Sequence, residues 1–136
     1  MRENIGLYRG KRKDNGEWIE GSLLKVTISG ETYYFIFCDD FALDGFDVKA
    51  LSRAIVDPET IGEYTGLPDK NGKKIFEGDI VRLLKMLFVV ECHGAEYVFG
   101  RIPGQPYCYP YFVSHADSCE VIGNIHDNPE LLEVSK

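Results

Sequence analysis

The sequence lacks any long apolar run. Its longest apolar stretches, such as MLFVV at residues 86–90, are far shorter than the roughly 20 residues that a membrane-spanning helix needs. The N-terminal residues MRENIGLYRGK include no apolar segment of the kind found in a secretory signal. We therefore expect no membrane association and a cytoplasmic location. At 136 residues, 44% of them hydrophobic, the chain can bury the core of one domain or of two small barrels.

The sequence also lacks paired cysteines. Its four cysteines have no C-x-x-C spacing and are expected to be free thiols in a reducing cytosol: Cys38, Cys92, Cys108 and Cys119. The one combination worth testing as a zinc site is Cys108, His115, Cys119 and His126. None of its spacings puts two ligands on one turn. We therefore predict no metal site and no cofactor.

Positive charge is scarce. The chain has 15 Lys and Arg against 22 Asp and Glu, which gives a formal net charge of −7. This balance argues against a general nucleic-acid binder, because such affinity comes from cations that neutralise phosphates. The charge is uneven, however. Residues 1–16 hold five bases and two acids, whereas residues 37–60 hold six acids and two bases. A local basic patch is therefore compatible with the composition.

The sequence contains an internal repeat of one segment. IGLYRGKRKDNGEWIEGSLL at residues 5–24 is echoed by IGEYTGLPDKNGKKIFEGDIV at residues 61–81. Six residues recur at an offset of 56 and two more at an offset of 57. The repeated residues of the first copy are Ile5, Gly6, Tyr8, Gly10, Asn15, Gly16, Glu20 and Gly21. This pattern indicates a duplicated structural unit.

Each copy has the features of a β-hairpin. Asn15-Gly16 and Asn71-Gly72 predict type I′ turns, in which both central residues have positive φ. Gly21 and Gly78 precede apolar runs and are expected to allow a bend or bulge.

Further elements follow from composition and periodicity. Residues 26–38 predict a hairpin that turns at Ser29-Gly30, and residues 47–56 predict two turns of amphipathic helix. Residues 81–92 are apolar enough to form one central strand. Three later segments are predicted as strands: 95–102, 110–114 and 119–125. Many short strands with frequent turns favour a barrel or sandwich.

Two segments resemble ligand-binding loops but lack the residue spacing that such loops require. The segment from Gly66 to Lys74 has five residues between its glycines and no hydroxyl after the lysine, so it is not a phosphate-binding loop. Residues 40–51 lack calcium ligands at two positions of a twelve-residue loop. No arrangement of nucleophile, base and acid is recognisable. We therefore predict that the protein is not an enzyme.

The most promising surface segment is PGQPYCYPYF at residues 103–112. In an extended strand, Tyr107, Tyr109 and Tyr111 would share one face. Such aromatic platforms bind proline-rich peptides or stack on bases. The structural alternative, which we favour, is that the tyrosines pack on the barrel while the prolines protect an edge.

Three segments together resemble the YopX family of phage- and prophage-encoded proteins. They are YRGKRKDNGEWIEGSLL, IGEYTGLPDKNGKKIFEGDIV and VIGNIHDNPELL. The resemblance implies a phage or prophage origin, and hence the cytoplasm of a bacterial host. It also implies a mainly β protein with an SH3-like β-barrel in its C-terminal part. It implies no activity, catalytic residue or cofactor.

Two regions are therefore expected. Residues 1–60 should form a β-rich region with a hairpin and one short helix, and residues 61–136 an SH3-like barrel with a polar tail. The favoured role is a non-enzymatic protein-interaction or regulatory accessory module that binds a phage or host protein. Small barrels with open edges self-associate readily, so a homo-oligomer is also expected.

The alternative role is a nucleic-acid-binding accessory module. It would use seven basic residues at the two Asn-Gly turns: Arg9, Lys11, Arg12, Lys13, Lys70, Lys73 and Lys74. Net charge disfavours this role, and fold analogy does not decide between the two because small barrels serve both.

Overall fold

The protein is built mainly from antiparallel β-strands, which confirms the predicted class. The structure, a computed structural model, describes residues 6–38, 51–100, 102 and 111–133. These residues form nine strands and the short α-helix Phe112–His115, and residues 51–52 are also helical. The strands lie in two antiparallel sheets, and within the described residues neither sheet closes into a barrel.

The elements have the following bounds. The strands are β1 (Leu7–Lys11), β2 (Trp18–Ile28), β3 (Glu31–Phe37), β4 (Gly62–Pro68), β5 (Lys74–Phe76), β6 (Asp79–Leu83), β7 (Met86–His93), β8 (Glu96–Gly100) and β9 (Glu120–Asn124). Helix α1 (Phe112–His115) lies between β8 and β9 in the chain. The chain divides into two compact units, Met1–Glu63 and Tyr64–Lys136.

In the N-terminal unit the strand order is β3-β2-β1, followed by the first residues of β4. Its core lies on the sheet face that includes Gly10. A Cβ atom at Gly10 would be 3.1 Å from the Ile36 side chain and 3.2 Å from that of Val56, and both of these residues are buried. At Gly21 a Cβ atom would clash with the carbonyl oxygen of Phe37. Both glycines therefore allow close packing at the centre of this unit.

The hairpin predicted over residues 26–38 is confirmed. β2 and β3 pair from Ser22↔Phe37 to Ile28↔Glu31. The two residues between the strands have positive φ, 53° at Ser29 and 83° at Gly30, as a type I′ turn requires. The outer part of this hairpin exposes apolar side chains.

The prediction of a helix over residues 47–56 is wrong for the second half of this segment. Residues 47–50 lie outside the described residues, and residues 51–52 are helical. Ile55 and Val56 are instead extended and form bridges to Phe35 and Arg12. Pairing with strand backbones supplies the hydrogen bonds that a second helical turn would have made, for example from Val56 N–H to the Tyr34 carbonyl, 3.0 Å.

In the C-terminal unit four strands form a sheet in the order β8-β7-β6-β9. Its larger core cluster includes three phenylalanines and consists of Ile75, Val81, Leu83, Phe88, Val90, Phe99, Phe112, Ala116 and Cys119. Ile80, Val89 and Ile102 form a second cluster. Because neighbouring residues of a strand point to opposite faces, the sheet is apolar on both sides. Its strands therefore appear in the sequence as continuous apolar runs.

Two strand predictions in this unit are wrong. Residues 81–92 form not one central strand but the hairpin of β6 and β7, which turns at Leu84-Lys85. The strand predicted over residues 110–114 is not formed by its described residues, since Phe112–His115 is helical; residue 110 lies outside the described residues. The strands predicted over 95–102 and 119–125 are present as β8 and β9.

The Asn-Gly segments form turns, but not of the predicted type. Among the described residues other than glycine, positive φ occurs at Ser29, Leu84 and Lys85. Asn15 and Asn71 therefore do not adopt the type I′ conformation. Each turn is longer than two residues and relies on positive φ at its glycine alone, 75° at Gly16 and 83° at Gly72.

The equivalent glycines of the two repeat copies, Gly21 and Gly78, also differ in backbone conformation. Gly21 lies inside β2 with ordinary backbone angles and close packing. Its counterpart Gly78 has a φ of 94° in the short turn before β6, where the buried Asp79 accepts a hydrogen bond from Phe76 N–H at 2.8 Å. The expected bend is therefore present in the second copy only.

Asp69 connects the second turn to the last strand. One carboxylate oxygen accepts hydrogen bonds from the N–H groups of Asn71 at 2.8 Å and Lys73 at 2.9 Å. The other accepts from Val121 N–H at 2.9 Å, 52 residues along the chain. Burial by itself would raise the pKa of Asp69, but the three backbone donors and the charge of Lys73 hold this pKa below its ordinary value of 3.8. The ionised carboxylate therefore stabilises the fold.

We predict that Asp69→Asn destabilises the protein by about 1–3 kcal/mol. An amide keeps one acceptor oxygen but presents an N–H₂ group to a backbone donor, which leaves a buried N–H unsatisfied. The free energy of unfolding from urea titration at neutral pH measures the loss. Asp14→Asn is the matched control, because Asp14 pairs with Arg12 at the surface, and it should cost less. An equal effect of the two substitutions would contradict this role of Asp69.

The same carboxylate predicts a pH dependence. Because the folded pKa is lowered, the contribution of Asp69 is fully present above its ordinary pKa of 3.8 and is lost as the pH falls through the folded value. Acid unfolding of the wild type should therefore be steeper than that of Asp69→Asn. Parallel acid-unfolding curves would argue against this linkage.

The turn at Leu84-Lys85 is strained. The two residues have φ values of 53° and 69°, although left-handed backbone costs about 1–2 kcal/mol for a residue other than glycine. We predict that Leu84→Asn combined with Lys85→Gly stabilises the protein by about 1–2 kcal/mol, since Asn-Gly is the preferred type I′ pair. Leu84→Ala, which keeps a Cβ in the same conformation, should give no such gain. Urea titration measures both, and a double variant no more stable than wild type would refute the assignment of strain.

Candidate functional site

An open groove lies between the start of β8 and helix α1 in the C-terminal unit. It has a volume of about 310 Å³ and is lined by residues 95–97 and 111–114. This volume is at the lower end of the range for ligand-binding clefts. The groove is therefore large enough for two or three side chains of a bound segment.

The floor of the groove is held by packed aromatic rings. Phe112 is buried, and its ring centre lies 5.1 Å from that of Phe99 and 6.2 Å from that of Tyr97, tilted by about 50° in both pairs. Tilted aromatic pairs at such distances are favourable. The start of α1 is thus anchored in the core, which fixes the position of the groove's lining.

The rim of the groove exposes two large side chains. Tyr111 is 60% exposed and Val113 is 79% exposed. Tyr111 precedes the helix with φ −91° and ψ 54°, and its carbonyl oxygen lies 3.2 Å from Nδ1 of His115. Exposed apolar surface beside a fixed floor is typical of a surface that binds a partner.

Of the three tyrosines predicted to share a strand face, only Tyr111 lies within the described residues. It precedes a helix, so the alternation expected of a strand does not apply to it. Tyr107 and Tyr109 lie outside the described residues. Sequence reasoning did not identify Glu96, Tyr97 or Val113 as site residues, because they belong to two segments that only the fold brings together.

The basic residues near the first turn have partners within the protein. The Arg9 guanidinium carbon lies 4.8 Å from the ring centre of Trp18, and Lys11 Nζ lies 5.4 Å from it. Arg12 donates two hydrogen bonds to Asp14, at 2.9 and 2.6 Å; this contact raises the pKa of Arg12 and lowers that of Asp14. Lys13 is exposed.

The basic residues of the second turn differ in their surroundings. Lys70 Nζ lies 3.9 Å from the Glu120 carboxylate, which also contacts Arg82 at 3.4 Å. Lys73 and Lys74 are exposed. The turn itself lies between β4 and β5 and is organised by Asp69. The structure thus brings Lys70 and Arg82 to the same carboxylate.

The cysteines and histidines form no recognisable metal centre in the described part of the chain. No three His, Cys, Asp or Glu side chains there are grouped to hold an ion. Burial, together with the charge of Asp69, raises the pKa of the Cys119 thiol to about 11, and the Cys119 thiol donates to the Ala116 carbonyl at 3.1 Å. Cys108 and most of the segment considered for calcium lie outside the described residues.

No helix among the described residues has the length and apolar character needed to cross a bilayer.

Comparisons with known proteins identify one family. The family model described as YopX protein matches residues 7–133. Among solved structures, the crystal structure of protein EF1440 from Enterococcus faecalis is similar, with 24% sequence identity and a TM-score of 0.47. That match covers 93% of this chain and 97% of the other. Comparison with curated proteins gave no match.

Proposed function

We propose that this chain, which belongs to the YopX family, is a non-enzymatic protein-interaction module. Its C-terminal unit would bind an extended peptide segment of a partner protein in the groove beside Tyr111. The observation that carries the proposal is the combination of an exposed apolar rim with a floor fixed by buried aromatic rings. As an accessory factor of phage or prophage, it would act in the bacterial cytoplasm on a phage or host protein.

The rim supplies the binding energy in this proposal. Covering Tyr111 and Val113 would remove apolar surface from water at about 25 cal/mol per Å². Because the floor is already packed, little side-chain order would be lost there on binding. The exposed rim would therefore contribute most of the free energy of binding a short segment.

An extended, proline-containing segment fits such a groove best. Polyproline II segments are already ordered before binding, and they dock between aromatic side chains. Tyr97 and Tyr111 both line the groove. A helix would need a longer apolar surface than seven lining residues present.

Several contacts support a non-enzymatic role. His93 Nε2 lies 2.7 Å from the Glu91 carboxylate on an exposed strand, outside the groove lining. The Cys119 thiol is buried and has a raised pKa, so it is protonated at neutral pH and a poor nucleophile. These groups have structural partners rather than an open site for substrate.

Nucleic-acid binding is the less supported alternative. Arg12 and Lys70 contact carboxylates, while Arg9 and Lys11 lie against Trp18. Phosphate binding would have to compete with these contacts, and the net charge of −7 opposes it further. This alternative would depend on exposed cations such as Lys13, Lys70, Lys73 and Lys74.

Two finer features belong to the same proposal. One is an SH3-type arrangement of the C-terminal unit, which the short antiparallel strands β6 to β9 support. The other is self-association through the N-terminal hairpin. Leu24 is 48% exposed and Ile28 is 56% exposed, and their spacing of four residues on β2 puts them on one sheet face.

We predict that Tyr111→Ala weakens peptide binding at least tenfold, as expected when an exposed aromatic anchor is removed. The probe is a set of ten-residue proline-rich peptides added to the ¹⁵N-labelled full chain, with amide shifts recorded by NMR. Shifts should concentrate at residues 95–97 and 111–114.

Leu84→Ala is the matched control, because Leu84 is 81% exposed but lies outside the groove. It should leave peptide affinity unchanged. Peptide shifts that are absent throughout the groove, or that persist unchanged in Tyr111→Ala, would refute the proposed function.

A further inference from the structure

We propose that two copies of this protein associate by pairing the open edge of β2 in one copy with the same edge in a second copy. The two strands would run antiparallel about a two-fold axis at Val26. This inference rests on the self-association proposed for the N-terminal hairpin. It goes further, because it assigns the strand, the register and the residue at the axis.

The outer half of this hairpin is a ribbon of two strands. Among the described residues, β1 pairs with β2 only as far as Ser22, and the segment 54–56 bonds to β3 only at residues 34–36. Beyond these contacts the two strands continue alone to the Ser29-Gly30 turn. Because an isolated two-stranded hairpin is only marginally stable in water, a further strand would stabilise this ribbon.

The backbone directions in the ribbon follow from the pairing at its β3 edge. Ile36 N–H donates to the Ala54 carbonyl at 2.9 Å, and Val56 N–H donates to the Tyr34 carbonyl at 3.0 Å. Tyr34 and Ile36 therefore direct their backbone groups away from β2. Since these directions alternate along an antiparallel strand, Phe35 directs its own groups toward β2.

The same alternation identifies the open groups of β2. Leu24 is the partner of Phe35, so the backbone groups of Leu24 and Val26 point toward β3. Those of Lys25 and Thr27 point the other way, beyond the last pair that β1 makes. Within the described residues no backbone group bonds to them on that side. Their N–H and C=O groups form an edge that another strand can join.

The exposed apolar residues of β2 match this edge. Leu24 is 48% exposed and Ile28 is 56% exposed, and the half-buried Val26 lies between them on the same face. Antiparallel pairing about Val26 puts Leu24 of each copy opposite Ile28 of the other, and Val26 opposite itself. These pairs are of the non-hydrogen-bonded kind, in which Cα atoms are only about 4.5 Å apart. Their side chains would therefore shield one another from water.

The hydrogen bonds are satisfied in the same register. Lys25 of each copy lies opposite Thr27 of the other, and a hydrogen-bonded pair exchanges both of its N–H···O bonds. Every open N–H and C=O of these two residues thus finds a partner. No two like charges lie directly opposite each other, since Lys25 faces a threonine.

A second copy fits this edge better than the strand of another protein. The segment Leu24–Ile28 has apolar residues at its ends and centre, so its pattern is the same when it is read from either end. Such a pattern suits a two-fold contact, in which both copies use the same patch. The open stretch is also short, because β1 begins to pair at Ser22. The second copy's strand would end at its own turn before it reached β1.

The test measures self-association of the full chain by sedimentation equilibrium over a range of protein concentrations. Val26→Lys and Val26→Glu each put like charges opposite each other at the axis, so each should weaken dimerisation by about tenfold or more. An equimolar mixture of the two variants should form dimers again, because lysine then faces glutamate. Thr32→Lys is the matched control, since it adds the same charge at an exposed position of β3, the strand outside the interface. It should leave dimerisation unchanged.

Hydrogen exchange followed by NMR supplies a second readout. In the wild-type dimer the amides of Lys25 and Thr27 should be protected, and in Val26→Lys they should exchange rapidly. The amide of Leu24, which bonds to β3, should stay protected in both proteins. Its protection verifies that the hairpin is intact in the variant.

The outcomes separate this inference from the proposals on which it rests. A wild-type dimer that both Val26 variants leave intact would overturn the β2 pairing but support self-association through another surface. Weakened dimers that do not recover in the mixture would overturn the axis at Val26. A wild type that is monomeric at every concentration would overturn self-association altogether, without bearing on the peptide groove. Peptide-induced amide shifts at residues 24–28 of a monomeric protein would assign the edge to another protein's strand and overturn the second copy.

Discussion

The contact on which the C-terminal unit depends most is the hydrogen bonding of the Asp69 carboxylate. Three backbone N–H groups converge on it, two from its own turn and one from Val121 in β9. A second hydrogen bond, from Lys70 N–H to the Cys119 carbonyl at 3.0 Å, connects the same two segments of the chain. Because the donors come from segments about 50 residues apart, one buried charge fixes the turn, the edge strand and the end of the α1 region together.

The position of the groove depends indirectly on these hydrogen bonds. Cys119 and Phe112 share one core cluster with Phe99, so the chain between α1 and β9 is held at both ends by buried side chains. A helix of four residues has little stability of its own. Its position, and with it the exposure of Tyr111, is therefore a consequence of tertiary packing.

Much of the β structure could be predicted from residue patterns, and the exceptions have physical causes. The Ser29-Gly30 hairpin and strands β8 and β9 follow from short segments rich in β-branched and aromatic residues, with turn residues between them. The Leu84-Lys85 turn could not be foreseen, since neither residue favours positive φ and the flanking residues are mostly apolar. The helix at Phe112 was missed because Phe-Val-Ser favours a strand locally. Likewise, Glu96 and Tyr111 line one groove only because the fold brings their two segments together, which no local sequence pattern predicts.

The buried thiol of Cys119 has a consequence for observing motion in this protein. With its pKa raised to about 11 and no exposed surface, it reacts with alkylating reagents only in molecules whose β9 segment has opened. Exposed Cys92 provides an internal reference for the reagent in the same sample. The ratio of the Cys119 labelling rate to the Cys92 labelling rate thus reports how often the segment around Cys119 opens in the folded protein.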